Sequence, residues 1–198
     1  MKFEFGTVSV PNGKRGPWSI DTFTLTEQDV LLDNLRALRD GAPELVCDAG
    51  TYKRLHHKER GCIMSNTPME VLTAREAYDN ATGCVLVNGL GLGMVLEGML
   101  SKKDVTYVRV IELDSDVIRL VKPTFAKDHR VEIICADAHE YTPERGETFD
   151  YVWHDIWDTI SQWNIPSMSK LVKKYSRIAT AQGVWSKQMA LRMRRRNS

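Results

Sequence analysis

The segment that begins at Cys84 alternates between strand-like and helix-like runs, and this pattern restricts the fold more than any other feature. Strand-like apolar runs occupy residues 84–88, 106–111, 131–135 and 149–154. Helix-like segments separate the first three runs, and a shorter connection precedes the fourth. A further helix is predicted near residues 167–178, ended by Gly183, with a last strand around Val184 and Trp185. Strands that alternate with helices form parallel sheets, because parallel neighbours need a crossover connection. We therefore predict an α/β domain with a mostly parallel sheet and flanking helices.

The region before residue 80 has a different pattern. Residues 3–8 suggest a short strand, and residues 27–39 carry Val30, Leu31, Leu35 and Leu38 at helical spacing. Residues 44–65 contain two β-like runs around a charged centre, which predicts a hairpin. Thr67 and Pro68 then begin a second helix. We expect residues 1–79 to pack on a core domain of residues 80–188, followed by a basic tail of residues 189–198.

The composition is that of an ordinary globular protein, with 42% hydrophobic and 27% charged residues among 198. A chain of this length has room for one well-buried α/β domain and a small addition. No apolar run approaches the length of a membrane span, and the first residues lack a secretory signal. We expect a cytoplasmic protein with four reduced cysteines and without membrane contact.

A glycine-rich turn follows the first strand of the alternating segment, with the sequence Asn88-Gly89-Leu90-Gly91-Leu92-Gly93. Glycines allow a tight turn and a close approach of a ligand to the backbone. Such a turn alone also fits a plain strand-to-helix connection. The next strand, however, ends in Glu112, at a distance and position where an acid accepts hydrogen bonds from ribose hydroxyls. The third glycine comes one residue too early for G-x-G-x-x-G, which disfavours NAD.

With these motifs the sequence resembles the class I S-adenosylmethionine (SAM)-dependent methyltransferases, and among them the spermidine synthase-like branch. The resemblance spans about residues 52–158 and rests on segments 85–93, 110–118, 137–138 and 155–158. It implies a Rossmann-like fold with SAM as cofactor. By position, the glycine turn would hold the methionine part, Glu112 would bind the ribose hydroxyls, and Asp137 with Ala138 would meet the adenine. The cofactor residues so implied are Asn88, Gly89, Gly91, Gly93, Glu112, Leu113, Asp137, Ala138, Asp155 and Trp157.

The segment Asp155-Ile156-Trp157-Asp158 ends the fourth strand at the predicted ligand-facing edge. Asp155 and Asp158 resemble the paired aspartates that face the amine in spermidine synthase-like proteins, and we take both as candidate catalytic residues. A carboxylate there can accept a proton or bind a cation, and indole rings can pack against a sulfonium. Trp153 and Trp157 are equally compatible with a role in the core.

Several departures from the family pattern limit what the resemblance implies. Asn88 occupies a position that is usually acidic, which removes a charge that would attract the methionine ammonium. Residues 60–70 stand where spermidine synthases bind the polyamine, and only Glu70 matches. The chain is also too short after the fourth strand for the usual terminal antiparallel strand pair, so we predict a truncated sheet.

Metal binding is not indicated. His56 and His57 lie in the predicted hairpin without a Cys or acidic partner at ligand spacing. His154 adjoins Asp155, but alternate residues of a strand point to opposite faces. We therefore predict no metal site, and we expect His154 to point away from Asp155.

Basic residues are concentrated at the carboxyl end. Residues 166–198 contain nine basic residues and no acidic one. This asymmetry suggests contact with nucleic acid through the basic C-terminus, whereas a solvated helix with a flexible tail is the alternative. An exposed sheet edge could also be covered in a homo-oligomer.

Three functions remain open at this point. The first is a methyltransferase whose acceptor is a small molecule or a nucleic acid. The second is aminopropyl or other alkyl transfer, and the third is a non-catalytic module that keeps the nucleoside pocket.

Overall fold

We describe residues 4–39, 41 and 46–196 in a computed structural model of the chain. The N-terminal part contains strands β1 (Gly13–Arg15), β2 (Trp18–Leu25), β3 (Gly50–His57) and β4 (Gly61–Ser65), with helix α1 (Glu27–Arg39) between β2 and β3. Helix α2 (Pro68–Asn80) follows. The remaining elements are β5 (Gly83–Asn88), α3 (Met94–Leu100), β6 (Val105–Glu112), α4 (Ser115–Phe125), β7 (Val131–Cys135), β8 (Phe149–His154), α5 (Ile165–Tyr175), β9 (Ala179–Val184) and α6 (Lys187–Arg196).

The elements form two sheets. Strands β1 to β4 make an antiparallel sheet in chain order, and the strands of the second sheet are all parallel in the order β7-β6-β5-β8-β9. The predicted α/β fold with a mostly parallel, Rossmann-like sheet is confirmed. So is the truncation, since within the described ranges no antiparallel pair follows β9.

The parallel sheet is buried on both faces. Val85 and Val87 of β5 pack on one side with residues of α2, α3 and α4. Leu86 packs on the opposite side, where Leu171 and Tyr175 of α5 cover the sheet. Side chains alternate between the two faces of a strand, and both faces here meet helices. This double burial explains the continuous apolar runs that predicted the strands.

The hairpin and the boundaries of several helices agree with the prediction. β3 and β4 form the hairpin, α1 spans residues 27–39 as expected, and α2 begins at Pro68. The face that α1 buries is different, because Val30 and Ala37 point inward while Leu31, Leu35 and Leu38 are more than half exposed. The helix is rotated by about one residue from the orientation that its leucine spacing favoured.

Three local predictions are wrong. Residues 4–12 contain no strand, and Phe3 lies outside the described residues. The last strand is β9, which ends at Val184 and does not centre on Val184 and Trp185. Gly183 does not end α5 but lies inside β9, where a Cβ atom would collide with the side chains of Tyr151 and Trp153. The glycine is needed to make room for two aromatic rings of the neighbouring strand.

The C-terminal basic segment is helical. α6 spans the predicted boundary at residue 188 and continues to Arg196, so it is not an extended tail. Ala190 of α6 is fully buried and packs with Met168 of α5. Within the described ranges, no helix combines the length and hydrophobicity needed to cross a membrane.

Candidate functional site

A cavity of about 310 Å³ lies at the carboxyl ends of β5, β6 and β8. In open parallel sheets this edge is the usual place for ligands, because the loops there leave a crevice. The parallel sheet and its loops contribute most of the wall. The antiparallel sheet and α2 contribute Trp18, Leu55, Arg60, Ile63, Met64 and Glu70.

Most of the residues predicted from the sequence meet at this cavity. Those that line it are Gly89, Gly91, Glu112, Leu113, Asp137, Ala138, Asp155, Trp157 and Asp158. They come from four separate segments of the chain and converge because parallel strands place their carboxyl ends at one edge. The two predicted residues that do not line the cavity are Asn88 and Gly93.

Asn88 is the last residue of β5 and is fully buried. Its side chain forms hydrogen bonds within the sheet instead of facing the cavity. Its amide nitrogen lies 2.8 Å from Nδ1 of His154, whose Nε2 lies 3.0 Å from Oε1 of Gln182. The Gln182 amide nitrogen donates to the backbone oxygen of Val172. The Gln182 oxygen therefore accepts from His154 Nε2–H, which leaves Nδ1 to accept from Asn88.

His154 is consequently a neutral, structural residue. Burial lowers the pKa of His154 to about 4, with a small opposing effect from the hydrogen bond to Gln182. The side chain is fully buried and does not line the cavity, as expected from its position next to Asp155. A role for His154 as a base in the cavity does not fit this geometry.

The fold requires glycine at two positions of the turn, whether or not a ligand binds. Gly89 has φ of +102°, and a Cβ atom there would collide with the backbone oxygen of Asp155. Gly93 has φ of +75° and begins α3, where a Cβ atom would lie 2.8 Å from the ring of Phe125. Positive φ favours glycine because other residues have a Cβ clash. The turn can thus bring β5 close to β8 and α3 close to α4.

Glu112 connects the glycine turn to the next loop. Its Oε2 accepts from the backbone nitrogen of Leu90 at 2.9 Å, and its Oε1 accepts from that of Asp114 at 2.8 Å. Burial raises the pKa of Glu112, while these backbone hydrogen bonds oppose the rise. Each carboxylate oxygen can accept a second hydrogen bond. The carboxylate is therefore held in one orientation and can still accept from a ligand hydroxyl.

The adenine side of the predicted site is held by backbone contacts. The backbone oxygen of Ala138 accepts from the Tyr175 hydroxyl at 3.1 Å, and Asp137 Oδ1 accepts from the backbone nitrogen of His139 at 2.7 Å. Trp157 Nε1 donates to Ser167 Oγ at 3.3 Å, which fixes the indole at the cavity wall. The contacts of Ala138 and Trp157 tie the loops after β7 and β8 to α5.

Besides Glu112, two carboxyl groups in the cavity have raised pKa values. Burial raises the pKa of Asp155 to about 7, and the indole of Trp153 opposes this slightly. Burial, and then the charge of Asp155, raises the pKa of Glu70 to about 8. Two carboxylates that repel each other in a cavity are stabilised by a cation placed between them. The cavity is therefore suited to a ligand with positive charge.

Three residues of the antiparallel sheet and its β3–β4 turn cover the cavity, and we call them the roof: Trp18, Arg60 and Met64. Arg60 Nη1 pairs with Asp158 Oδ2 at 2.7 Å, and the guanidinium lies 4.8 Å from the centre of the Trp18 ring. Trp18 Nε1 donates to Asp114 Oδ2 at 2.7 Å. The Met64 sulfur accepts from the backbone nitrogen of Leu92 at 3.4 Å.

The sequence analysis did not identify the roof. Trp18 lies in a strand that was not predicted, and Arg60 lies in a charged hairpin turn that resembles any solvated loop. No periodicity or motif marks either residue. Their role follows only from the long-range packing of the antiparallel sheet on the loops after β6 and β8.

Comparison with known proteins finds similar solved structures only. No protein family model matches the chain, and no curated protein matches it. Among solved structures, it is similar to a Pyrococcus horikoshii protein assigned as an RNA methyltransferase, with 16% identity and a TM-score of 0.47 over 67% of this chain and 65% of that one. It is also similar to the 23S rRNA methyltransferase ErmE, with 16% identity and a TM-score of 0.43 over 55% and 42% of the two chains.

A third similar structure is the mitomycin 7-O-methyltransferase MmcR, with 14% identity and a TM-score of 0.44 over 59% of this chain and 37% of that one. The chain spans less than two thirds of the length of each of these proteins. Similarities of this size carry no argument about activity or substrate. They also give no support to the narrower resemblance to spermidine synthases.

Proposed function

We propose that this protein is a SAM-dependent methyltransferase. The observation that carries the proposal is the convergence of the glycine turn, Glu112 and the Asp137-Ala138 pair on one cavity at the carboxyl edge of a parallel sheet. The glycine turn and Glu112 were read from the residues themselves, and the family resemblance added the Asp137-Ala138 pair and assigned each motif to a different part of the same ligand. A plain strand-to-helix turn would not require the other two motifs to face it.

The charge of the cavity supports a sulfonium ligand. Glu70 and Asp155 face the same space, and a ligand that carries an ammonium and a sulfonium group would offset their repulsion. Glu70 would take over the attraction for the ammonium that Asn88, buried in the sheet, does not provide. The indole of Trp157 offers a ring face to a cation in the same cavity.

When bound, SAM supplies an electrophilic methyl group. Asp155 would accept the proton of the acceptor, because its pKa of about 7 suits a general base near neutral pH. Asp158 is less suited to that role since it already pairs with Arg60. The roof would hold the reacting groups together and exclude water.

Calorimetry with SAM, S-adenosylhomocysteine and NAD tests the cofactor. We expect binding of the first two and none of NAD. Glu112→Ala should weaken SAM binding by about 1.5–3 kcal/mol, the usual contribution of a hydrogen bond to a charged acceptor. Glu112→Gln keeps one of the two acceptor oxygens, thermal unfolding of both variants shows whether the turn is disrupted, and the exposed Glu144→Ala serves as a control. NAD binding as tight as SAM binding would refute the cofactor assignment.

Asp155→Asn tests the proton acceptor. The amide keeps the shape of the side chain but cannot take a proton, so methyl transfer should fall by about 10²–10⁴-fold while SAM affinity changes only a few fold. Transfer from radiolabelled SAM to mixed RNA, amine and phenol acceptors provides the measurement. Undiminished transfer by the variant would show that Asp155 only positions the acceptor.

A further inference from the structure

We propose that the surface formed by Trp163 and the arginines of α6, here called the basic platform, binds single-stranded nucleic acid. We further propose that it presents a base of that strand to the cavity. The binding step is independent of the proposed function, whereas the role of the strand as methyl acceptor rests on it. The basic platform comprises Trp163, Arg192, Arg194, Arg195 and Arg196.

The exposure of Trp163 is the first observation that supports a ligand. Its side chain is 82% exposed, whereas Trp18, Trp153 and Trp185 are buried. An exposed indole leaves a large apolar surface in water. Such a ring can stack on an unpaired base and be covered by it. A paired base in a duplex does not offer its face to a side chain.

The turn that carries Trp163 is fixed to the protein. The 3-10 turn Gln162–Asn164 is capped by Ser161, whose Oγ accepts from the backbone nitrogen of Trp163 at 3.2 Å. Asn164 Nδ2 donates to the backbone oxygen of Thr159 at 2.6 Å. The backbone that carries the ring is therefore ordered before a ligand arrives, which lowers the entropic cost of binding.

Basic residues are concentrated in the chain segments next to Trp163. The turn packs against α6, whose exposed residues include Arg192, Arg194, Arg195 and Arg196. The neighbouring helix α5 exposes Lys170 and Lys173, and Arg177 is exposed in the turn that follows it. No acidic residue occurs between positions 166 and 198. Contacts of these cations with phosphates would release counterions and give a salt-dependent affinity.

The helical state of α6 favours a nucleic acid over a membrane. Ala190 packs against Met168, so the small apolar face of α6 is buried in the protein. Met193 is the large hydrophobic residue that α6 exposes, at 39%. A helix that lies on a membrane needs a free apolar face. Phosphate contacts need only the arginines.

The basic platform is next to the cavity. Trp157 lines the cavity and also packs in the apolar cluster of Met168 and Ala190, which holds α6 in place. Asp158 at the cavity rim precedes Trp163 by five residues. A strand that stacks on Trp163 and contacts α6 would therefore run past the cavity opening, where an adjacent base could enter.

Fluorescence anisotropy with a labelled single-stranded RNA of mixed sequence, about 15 nucleotides long, tests the inference. We expect binding at 50 mM salt and much weaker binding of the matching duplex. Trp163→Ala should weaken binding by about 5- to 100-fold, the effect of losing one stacked base. The triple change Arg194→Gln, Arg195→Gln, Arg196→Gln should reduce the slope of log K against log salt by about 2.

A matched triple change of exposed lysines elsewhere, Lys14→Gln, Lys103→Gln and Lys127→Gln, alters the net charge equally and should leave the slope nearly unchanged. A single-stranded DNA of the same sequence shows whether the sugar matters. Equal effects of the two triple changes, no effect of Trp163→Ala, or no binding at 50 mM salt would overturn the inference. So would binding to anionic phospholipid vesicles in place of RNA.

Calorimetry with SAM on the same variants separates the two proposals. Loss of RNA binding with unchanged SAM affinity would show that the platform acts independently of the cofactor pocket. If the wild-type protein binds RNA but not SAM, the platform stands and the proposed methyltransferase function fails.

Discussion

The parallel and antiparallel sheets of this protein differ in how their residues are used. β5 and β8 are buried on both faces, so that nearly every side chain in them packs in the core. β2 alternates instead, with Trp18 and Ile20 buried and Phe23 partly exposed to solvent. The parallel sheet supplies the floor of the cavity and most of the core. The antiparallel sheet supplies few core residues but most of the roof.

The largest effect we expect concerns the core of the parallel sheet. Leu86 of β5 is fully buried, so Leu86→Ala should reduce the free energy of unfolding by about 2–5 kcal/mol. Leu35 of α1 is 55% exposed, and Leu35→Ala should change it by less than about 0.5 kcal/mol. Urea unfolding of both variants gives the comparison. Similar costs for the two would mean that α1 buries its leucines in solution.

The junction between the two regions should depend on pH. The pKa of Glu70, at the start of α2, is raised to about 8 and that of Asp155, after β8, to about 7. A carboxyl group whose pKa is raised by folding stabilises the folded state at solution pH values below its ordinary pKa. This contribution is lost as the pH rises through 7 and 8. Stability should therefore fall between pH 5 and pH 9.

Glu70→Gln should flatten this fall by an amount on the order of 2 kcal/mol, because it removes one charge of the pair. The exposed Glu59→Gln makes the same change of charge in the hairpin and serves as control. Urea unfolding at several pH values provides the measurement. A wild-type stability that stays constant from pH 5 to pH 9 would mean that water or ions already compensate the pair.

The smallest effect on stability should come from the roof. Arg60 and Asp158 are both nearly half exposed, so Arg60→Gln should change the free energy of unfolding by less than about 1 kcal/mol. It should nevertheless speed SAM dissociation several fold, since the roof closes the cavity. Arg75→Gln removes a similarly exposed pair with Asp79 on α2 and should leave dissociation unchanged. Stopped-flow fluorescence measures the SAM dissociation rate of each variant. Equal rates for the two variants would show that the roof has no part in ligand retention.

Prediction from the sequence worked best where local pattern and burial coincide. The strands of the parallel sheet are continuous apolar runs because helices cover both faces, and the glycine turn and Glu112 follow such runs directly. β2 could not be recognised in the same way, since its apolar residues change face within the strand: Trp18 and Ile20 lie on one face, and Phe23 and Leu25 lie on the other. α1 was located correctly, but its leucine spacing pointed to the wrong buried face.

The sequence by itself determined the α/β fold and brought most of the residues that line the cavity to the carboxyl edge of the sheet. These depend on short segments whose period and order dictate where their ends meet. Only the tertiary structure decided that Asn88 and His154 bond to each other inside the sheet, and that Trp18 and Arg60 cover the cavity. Those positions depend on contacts between residues that are 66 to 98 positions apart in the chain, for which no local pattern exists.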